Sequence, residues 1–134
     1  LPVLKHFVGS FPGISNDIKK SGVSEHAYTR TPLKAAHSMM QAWKPLREAL
    51  PQVTSPVLFM KSAIDHVVDP SSLKVIRSGV SSRDFVELVL PESYHVATLD
   101  NDAETIFSES AAFIARVLAA DTPHGVESSD GTAT

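Results

Sequence analysis

The sequence contains no cysteine. Disulfide bonds, a thiol nucleophile and thiolate metal sites are therefore excluded, and the compartment stays open, with the cytoplasm as the default expectation. The sequence also lacks any apolar run close to the roughly eighteen residues that a membrane-spanning helix needs, so we expect no transmembrane segment. Its 12 lysines and arginines are scattered among 15 aspartates and glutamates, so we expect neither nucleic acid nor an anionic membrane as a partner.

What the sequence does contain is enough apolar side chain for one core, since 43% of its 134 residues are hydrophobic and 20% are charged. It divides into three parts. Residues 1–53 begin irregularly, with prolines and glycines, and continue as a helical pattern. Residues 54–120 alternate strand and helix patterns, whereas residues 121–134 are small and polar, and we expect them to form a disordered tail. The composition indicates no particular oligomeric state.

The middle part predicts a strand, a helix and a second strand. Residues 56–60 form a continuous apolar run typical of a strand buried on both faces of a parallel sheet. Asp69 as N-cap, Pro70 at the first helical position and Gly79 as a stop predict a crossover helix. Residues 85–90 give the second strand. The fold class expected is therefore α/β, with a right-handed connection between parallel strands.

One carboxylate and one imidazole follow these two strands. Asp65 and His95 each lie about five residues beyond a predicted strand end, and neighbouring strands are about 4.8 Å apart, so the two side chains should meet at one edge of the sheet. A hydroxyl nucleophile needs a neutral imidazole as its base, and a carboxylate bonded to Nδ1 holds that imidazole in one tautomer. From spacing alone, a turn aspartate and an unrelated loop histidine are an equally good interpretation.

The residue sequences of these two segments are more specific evidence for function than the spacing of Asp65 and His95. Residues 65–70 read Asp-His-Val-Val-Asp-Pro, and residues 93–100 read Ser-Tyr-His-Val-Ala-Thr-Leu-Asp. They resemble the carboxyl-terminal half of α/β-hydrolase esterases of the carboxylesterase and monoacylglycerol lipase type, strongly over residues 55–117 and loosely over residues 1–53. The resemblance implies that Asp65 is the acid and His95 the general base of a catalytic triad. It further implies a small ester or acylglycerol substrate, and no cofactor is expected.

The family pattern also requires a Gly-x-Ser-x-Gly nucleophile elbow ahead of the acid and the histidine, and the sequence has none. Residues 9–13 read Gly-Ser-Phe-Pro-Gly, but Ser10 stands beside the first glycine and is interpreted as an ordinary loop residue. The oxyanion-hole segment is not found either. We therefore expect the serine to lie upstream of Leu1 and this polypeptide alone to be inactive. The alternative is a non-catalytic α/β-hydrolase-like module that binds a ligand or a partner.

The first part of the chain predicts a cap. Thr31 and Pro32 should open a helix, and Pro45 should kink or restart it. In the resembling esterases such an insertion covers the active site, so Met39, Met40 and Trp43 are candidates for an apolar wall that binds the acyl chain. The ordinary alternative is that the apolar stripe packs the helix onto the core. The stripe comprises Leu33, Ala36, Met39, Met40, Trp43 and Leu46.

The last helix is predicted over residues 102–119, with Asn101 and Glu104 as a capping box and an apolar face docked on the sheet. The acidic residues at its start should interact favourably with the positive end of the helix dipole rather than orient His95. Asp65, His66 and His95 lie close enough to suggest a metal site, but a further ligand is missing, so none is predicted.

Overall fold

The computed structural model describes residues 9–14 and 16–121. The predicted tail from residue 122 onward lies outside the described residues. Two short 3-10 helices, Leu50–Gln52 and Ala97–Leu99, join the main elements. The main elements are β1 (Ser10–Pro12), β2 (Arg30–Pro32), α1 (Leu33–Ala49), β3 (Val57–Ser62), α2 (Ser71–Gly79), β4 (Phe85–Leu90) and α3 (Ala103–Asp121).

Strands β3 and β4 form a parallel pair that α2 connects. Their register runs unbroken from Val57 opposite Phe85 to Ser62 opposite Leu90. The predicted strand–helix–strand unit is confirmed, and β4 has the predicted bounds. Helix α2 ends at the predicted Gly79, and a Cβ added there would lie 2.6 Å from Cδ1 of Leu50. Glycine is therefore the residue that lets the end of α2 approach the segment after α1.

The start of α1 differs from the prediction. Thr31 and Pro32 belong to β2, which pairs antiparallel with β1 so that Ser10 lies opposite Pro32. The helix begins at Leu33, whose N–H donates to the carbonyl of Gly9 at 3.1 Å. The sequence signal of a cap followed by proline was wrong here because both residues are taken up by strand pairing. The helix also runs through Pro45 without restarting.

Helix α3 begins one residue later than predicted, and Asn101 does not cap it. The amide group of Asn101 instead donates to the carbonyl of Glu92 at 3.0 Å. The N–H of Asp102 donates to Oγ of Ser93 at 2.9 Å, so a serine from the preceding loop binds the chain at the start of the helix. No helix among the described residues is long and apolar enough to cross a bilayer.

The apolar core of the described residues is small. Its buried apolar side chains are Ile18, Leu33 and Leu90. Residues 57–61 of β3 are only half-buried, so the expectation of a strand buried on both faces is wrong for these residues. Along the predicted docking face of α3, Phe107 is exposed. A sheet of two strands has too few neighbouring elements to cover both faces, so much of each apolar face is left in solvent.

This exposed surface makes a prediction about the 134-residue polypeptide in isolation. We expect it to bind the dye ANS and to lose its structure gradually in urea, because apolar surface that is left in water favours loose packing and association. Dye fluorescence, size-exclusion chromatography and a urea titration followed by circular dichroism measure this. A monomer with no dye binding and a sharp cooperative transition would contradict it.

Candidate active site

Asp65 and His95 meet at the carboxyl ends of the two parallel strands. Asp65 lies three residues after the end of β3, and His95 five residues after the end of β4. Nδ1 of His95 is 3.1 Å from Oδ2 of Asp65. An ionised carboxylate only accepts hydrogen bonds, so this contact places the proton on Nδ1. The meeting that the spacing predicts is therefore found, whereas the catalytic roles of the two residues stay a prediction.

The carboxylate of Asp65 is fixed by its own loop. Its Oδ1 accepts hydrogen bonds from the N–H groups of Val67 and Val68, both at 2.8 Å. Burial would raise the pKa of Asp65, but the hydrogen bonds from Val68, His95 and Val67 outweigh it and hold the pKa below its ordinary value. Asp65 is therefore ionised at neutral pH, with one oxygen committed to the backbone and the other to His95.

The imidazole of His95 is partly exposed, with 36% of its side-chain surface accessible. Within the described part of the chain no residue hydrogen-bonds to its Nε2. His95 also lines an open depression together with Met60 of β3, Leu90 of β4 and Ile106 of α3. With Nδ1 bound to Asp65, the second ring nitrogen can take a proton from a hydroxyl group within hydrogen-bond distance.

Two serines hold the loop that carries His95. The hydroxyl of Ser62, the last residue of β3, donates to the carbonyl of Tyr94 at 2.6 Å. Ser93 is buried, and its hydroxyl oxygen accepts the N–H of Asp102. Both contacts involve residues within two positions of His95, so they restrict the backbone that carries its imidazole.

Asp17 is a buried carboxylate at this site that sequence reasoning missed. Its Oδ2 accepts the backbone N–H groups of His66 at 3.3 Å and of His95 at 3.1 Å. Its Oδ1 lies 2.7 Å from Nδ1 of His66. Burial would raise the pKa of Asp17, but the bonds from the His66 side chain and from the backbone of His95 and His66 lower it overall. No local pattern marks Asp17, because its partners are 49 and 78 residues away.

Asp100 is a second buried carboxylate, only 1% exposed, and it accepts four backbone N–H groups. Oδ2 binds those of Lys19 at 2.6 Å and Tyr94 at 2.9 Å, and Oδ1 binds those of Lys20 and Asn101, both at 2.8 Å. Burial opposes ionisation, but these bonds together lower the pKa of Asp100. The prediction that it serves the dipole of the last helix was incomplete, since it joins the histidine loop to residues 19–20.

Comparisons with known proteins indicate the type of protein to which this chain belongs. No family model matches the chain. The thermostable monoacylglycerol lipase of Bacillus sp. (strain H-257) is 35% identical over 103 residues, which are 77% of this chain and 41% of that protein. A solved structure described as LipS and LipT, two metagenome-derived lipolytic enzymes, is 42% identical with a TM-score of 0.76. The chain is of the α/β-hydrolase esterase and lipase type.

The match with that solved structure covers 81% of this chain and 44% of the other chain. The crystal structure of Paleococcus ferrophilus monoacylglycerol lipase is 14% identical with a TM-score of 0.54, covering 75% of this chain and 37% of that one. At this identity the likeness shows the fold alone. The predicted α/β-hydrolase fold is confirmed, and the chain spans about two fifths of the length of the curated relative.

The predicted acyl-binding residues are not brought to His95. Met39, Met40 and Trp43 lie on α1 with 59%, 38% and 49% of their surfaces exposed. None of them lines the depression at His95 among the described residues. Nor do they pack into a core among the described residues, so they form an exposed apolar surface on α1.

The imidazole of His66 does not join the contact between Asp65 and His95. Its Nδ1 is bound to Asp17, and its ring packs against the ring of Tyr94 with 4.8 Å between the centroids. In residues 9–14 and 16–121 no group of three or more histidine, aspartate and glutamate side chains is arranged to hold a metal ion.

The three carboxylates at this site predict that the stability of the fold depends on pH in the acid range. The folded-state pKa values of Asp17, Asp65 and Asp100 are lowered, so their stabilisation is fully present above the unfolded value of about 3.9 and is lost as pH falls through the lower folded values. Replacing Asp100 with asparagine turns amide hydrogens toward backbone donors. We expect Asp100→Asn to cost roughly 1–3 kcal/mol at pH 7 and to weaken the dependence below pH 4.

Urea midpoints at pH 7 and pH 3 measure this effect. The control is Glu109→Gln, which changes an exposed carboxylate on α3 and should stay close to the unmodified chain at both values. Equal midpoints for Asp100→Asn and the unmodified chain at pH 7 would contradict the assignment.

Proposed function

We propose that the protein containing this chain hydrolyses carboxylic esters with a serine–histidine–aspartate triad, in which Asp65 is the acid and His95 the general base. The observation that carries the proposal is the 3.1 Å contact between Nδ1 of His95 and an Asp65 carboxylate that two backbone amides hold in place. The names of the two relatives above 30% identity, a monoacylglycerol lipase and lipolytic enzymes, support the same reaction class.

The geometry supports one direction of proton movement. Because Asp65 accepts the Nδ1 proton, Nε2 of neutral His95 carries the lone pair and takes the proton of the serine hydroxyl as that oxygen attacks the ester carbonyl. The imidazolium that forms faces an ionised carboxylate, which stabilises it. His95 then gives the proton to the leaving alcohol. In the second half-reaction it takes a proton from water as the water oxygen attacks the acyl-enzyme, and it returns that proton to the serine oxygen as the acyl–serine bond breaks and the carboxylic acid leaves.

The nucleophile is the part that the described residues do not supply. We propose that it stands in a Gly-x-Ser-x-Gly elbow upstream of residue 1, so that the 134-residue polypeptide alone does not cleave esters. The substrate class we propose is small carboxylic esters and monoacylglycerols, with Met39, Met40 and Trp43 contacting the acyl chain in the longer protein.

The experiment begins with the reading frame upstream of the codon for Leu1. Where it encodes an elbow, the longer polypeptide is assayed on p-nitrophenyl esters and monoacylglycerols. We expect His95→Ala and Asp65→Asn each to lower kcat by on the order of 10³–10⁴, since each removes proton transfer or the correct tautomer.

His26→Ala is the matched control, because His26 is exposed and distant in sequence from both loops, and it should keep the activity of the unmodified protein. A start codon at or near Leu1 with no upstream elbow would contradict the enzyme and favour a binding module. Full activity in His95→Ala would contradict the assignment of the base.

The cap residues make a separate prediction about substrate length. Each methylene buried against an apolar wall contributes about 0.8 kcal/mol, so Trp43→Ala should lower kcat/KM for decanoyl esters by about tenfold while acetyl esters change little. Lys44→Ala, at the neighbouring exposed position, is the control and should alter neither. An equal loss on both esters would show that Trp43 acts on the fold rather than on the acyl chain.

A further inference from the structure

Asp17 is a buried charged group at this site that the triad mechanism does not use, and its side chain binds both catalytic loops. Only 8% of its side-chain surface is exposed, and it lies in the irregular segment before β2 rather than in either catalytic loop. A buried carboxylate is costly unless its oxygens are hydrogen-bonded. The donors that bind the Asp17 side chain come from one residue of each loop, His66 and His95.

The two donors have specific places relative to the catalytic pair. One is the backbone N–H of His95, the proposed base itself. The other is the backbone N–H of His66, the residue directly after the proposed acid, Asp65. Because both bonds end on the same oxygen of Asp17, they can form together only when the two loops stand at the spacing that brings Asp65 to His95.

Few other contacts fix this spacing. The ladder between β3 and β4 stops at the strand ends, beyond which the N–H of Ala63 donates to the carbonyl of Leu90 at 2.9 Å. The hydroxyl of Ser62 bonds the carbonyl of Tyr94. Past those two contacts, the described parts of the loops are joined by the Asp65–His95 bond itself, by the contact between the rings of His66 and Tyr94, and by Asp17. A displacement of about 1 Å in a catalytic group can cost about a hundredfold in rate.

The backbone of Asp17 adds a third connection, since its carbonyl accepts the N–H of Val96 at 3.2 Å. Asp17 is therefore bonded to two consecutive residues of the histidine loop, His95 and Val96. The imidazole of His66 occupies the second carboxylate oxygen at 2.7 Å, which keeps that oxygen from being left without a donor. Through its side chain and its backbone, Asp17 therefore connects the loop that carries Asp65 to the loop that carries His95.

We propose that Asp17 is a positioning residue of the Asp65–His95 pair, whose buried carboxylate sets the distance between the acid loop and the histidine loop. The inference rests on the proposed ester hydrolysis for its effect on rate. It assigns Asp17 no contact with substrate and no proton transfer.

The kinetic test compares Asp17→Ala with Asp17→Asn in the longer polypeptide that carries the nucleophile. The alanine removes both side-chain acceptors and keeps the backbone carbonyl that binds Val96, so we expect kcat to fall by about a hundredfold with KM changed by less than about threefold. The asparagine keeps one carbonyl oxygen that can accept both backbone N–H groups, so it should retain activity within about tenfold of the unmodified enzyme. Glu109→Ala, which removes an exposed carboxylate of α3 away from both loops in sequence, is the control for a neutral change.

A second measurement separates positioning from folding and from the proposed function. Nitrogen NMR of the His95 ring reports which nitrogen carries the proton, and circular dichroism reports the folded fraction of each variant. We expect Nδ1–H in the unmodified protein and a mixture of tautomers in Asp17→Ala that is still folded. An unchanged tautomer and an unchanged kcat in folded Asp17→Ala would overturn the inference, as would a loss of kcat that follows only the unfolded fraction.

Inactivity of the unmodified longer protein would overturn the proposed function instead. The NMR comparison would still decide whether Asp17 sets the geometry of the pair, because it needs no substrate.

Discussion

The in-register parallel pairing of β3 and β4 is the constraint on which the site depends. Because parallel strands end at the same edge of a sheet, the loops after Ser62 and Leu90 begin side by side. A shift of the register by one residue would turn the strand side chains to the opposite face and move the starting point of one loop by about 3.3 Å. The 3.1 Å contact between Asp65 and His95 does not tolerate such a shift.

Beyond the strand ends, carboxylate oxygens accept the backbone N–H groups that strand pairing no longer binds. Irregular loops carry backbone N–H groups with no partner in a sheet or helix, and Asp17, Asp65 and Asp100 accept eight of them between their side chains. Charge-assisted bonds of this kind are shorter and stronger than neutral ones. No buried side-chain nitrogen or oxygen in the described residues lacks a partner. The loops are therefore ordered by polar contacts, although they contain almost no regular structure, and they depend on ionised carboxylates for that order.

The part of this arrangement that sequence could predict is the part set by short-range pattern. The bounds of β4, the stop at Gly79 and the meeting of Asp65 with His95 follow from apolar runs, a glycine and the distance to a strand end. The roles of Asp17 and Asp100 do not, because their donors are up to 81 residues away and the surrounding sequence is irregular. The start of α1 was mispredicted for a related reason: the pairing of Pro32 with Ser10 is a contact over 22 positions that no local cap signal contains.

Polar and apolar contacts thus have different roles in this chain. The loops that carry Asp65 and His95 find their hydrogen-bond partners within the described residues, whereas β3 and α3 keep apolar side chains in solvent there. Hydrophobic burial supplies most of the free energy of folding but has no direction, and hydrogen bonds supply little net free energy but fix geometry. Covering the apolar faces would accordingly raise the stability of the sheet without changing the distance between acid and base. That distance is set by the carboxylate of Asp17 and by the strand register, and it is encoded in this chain.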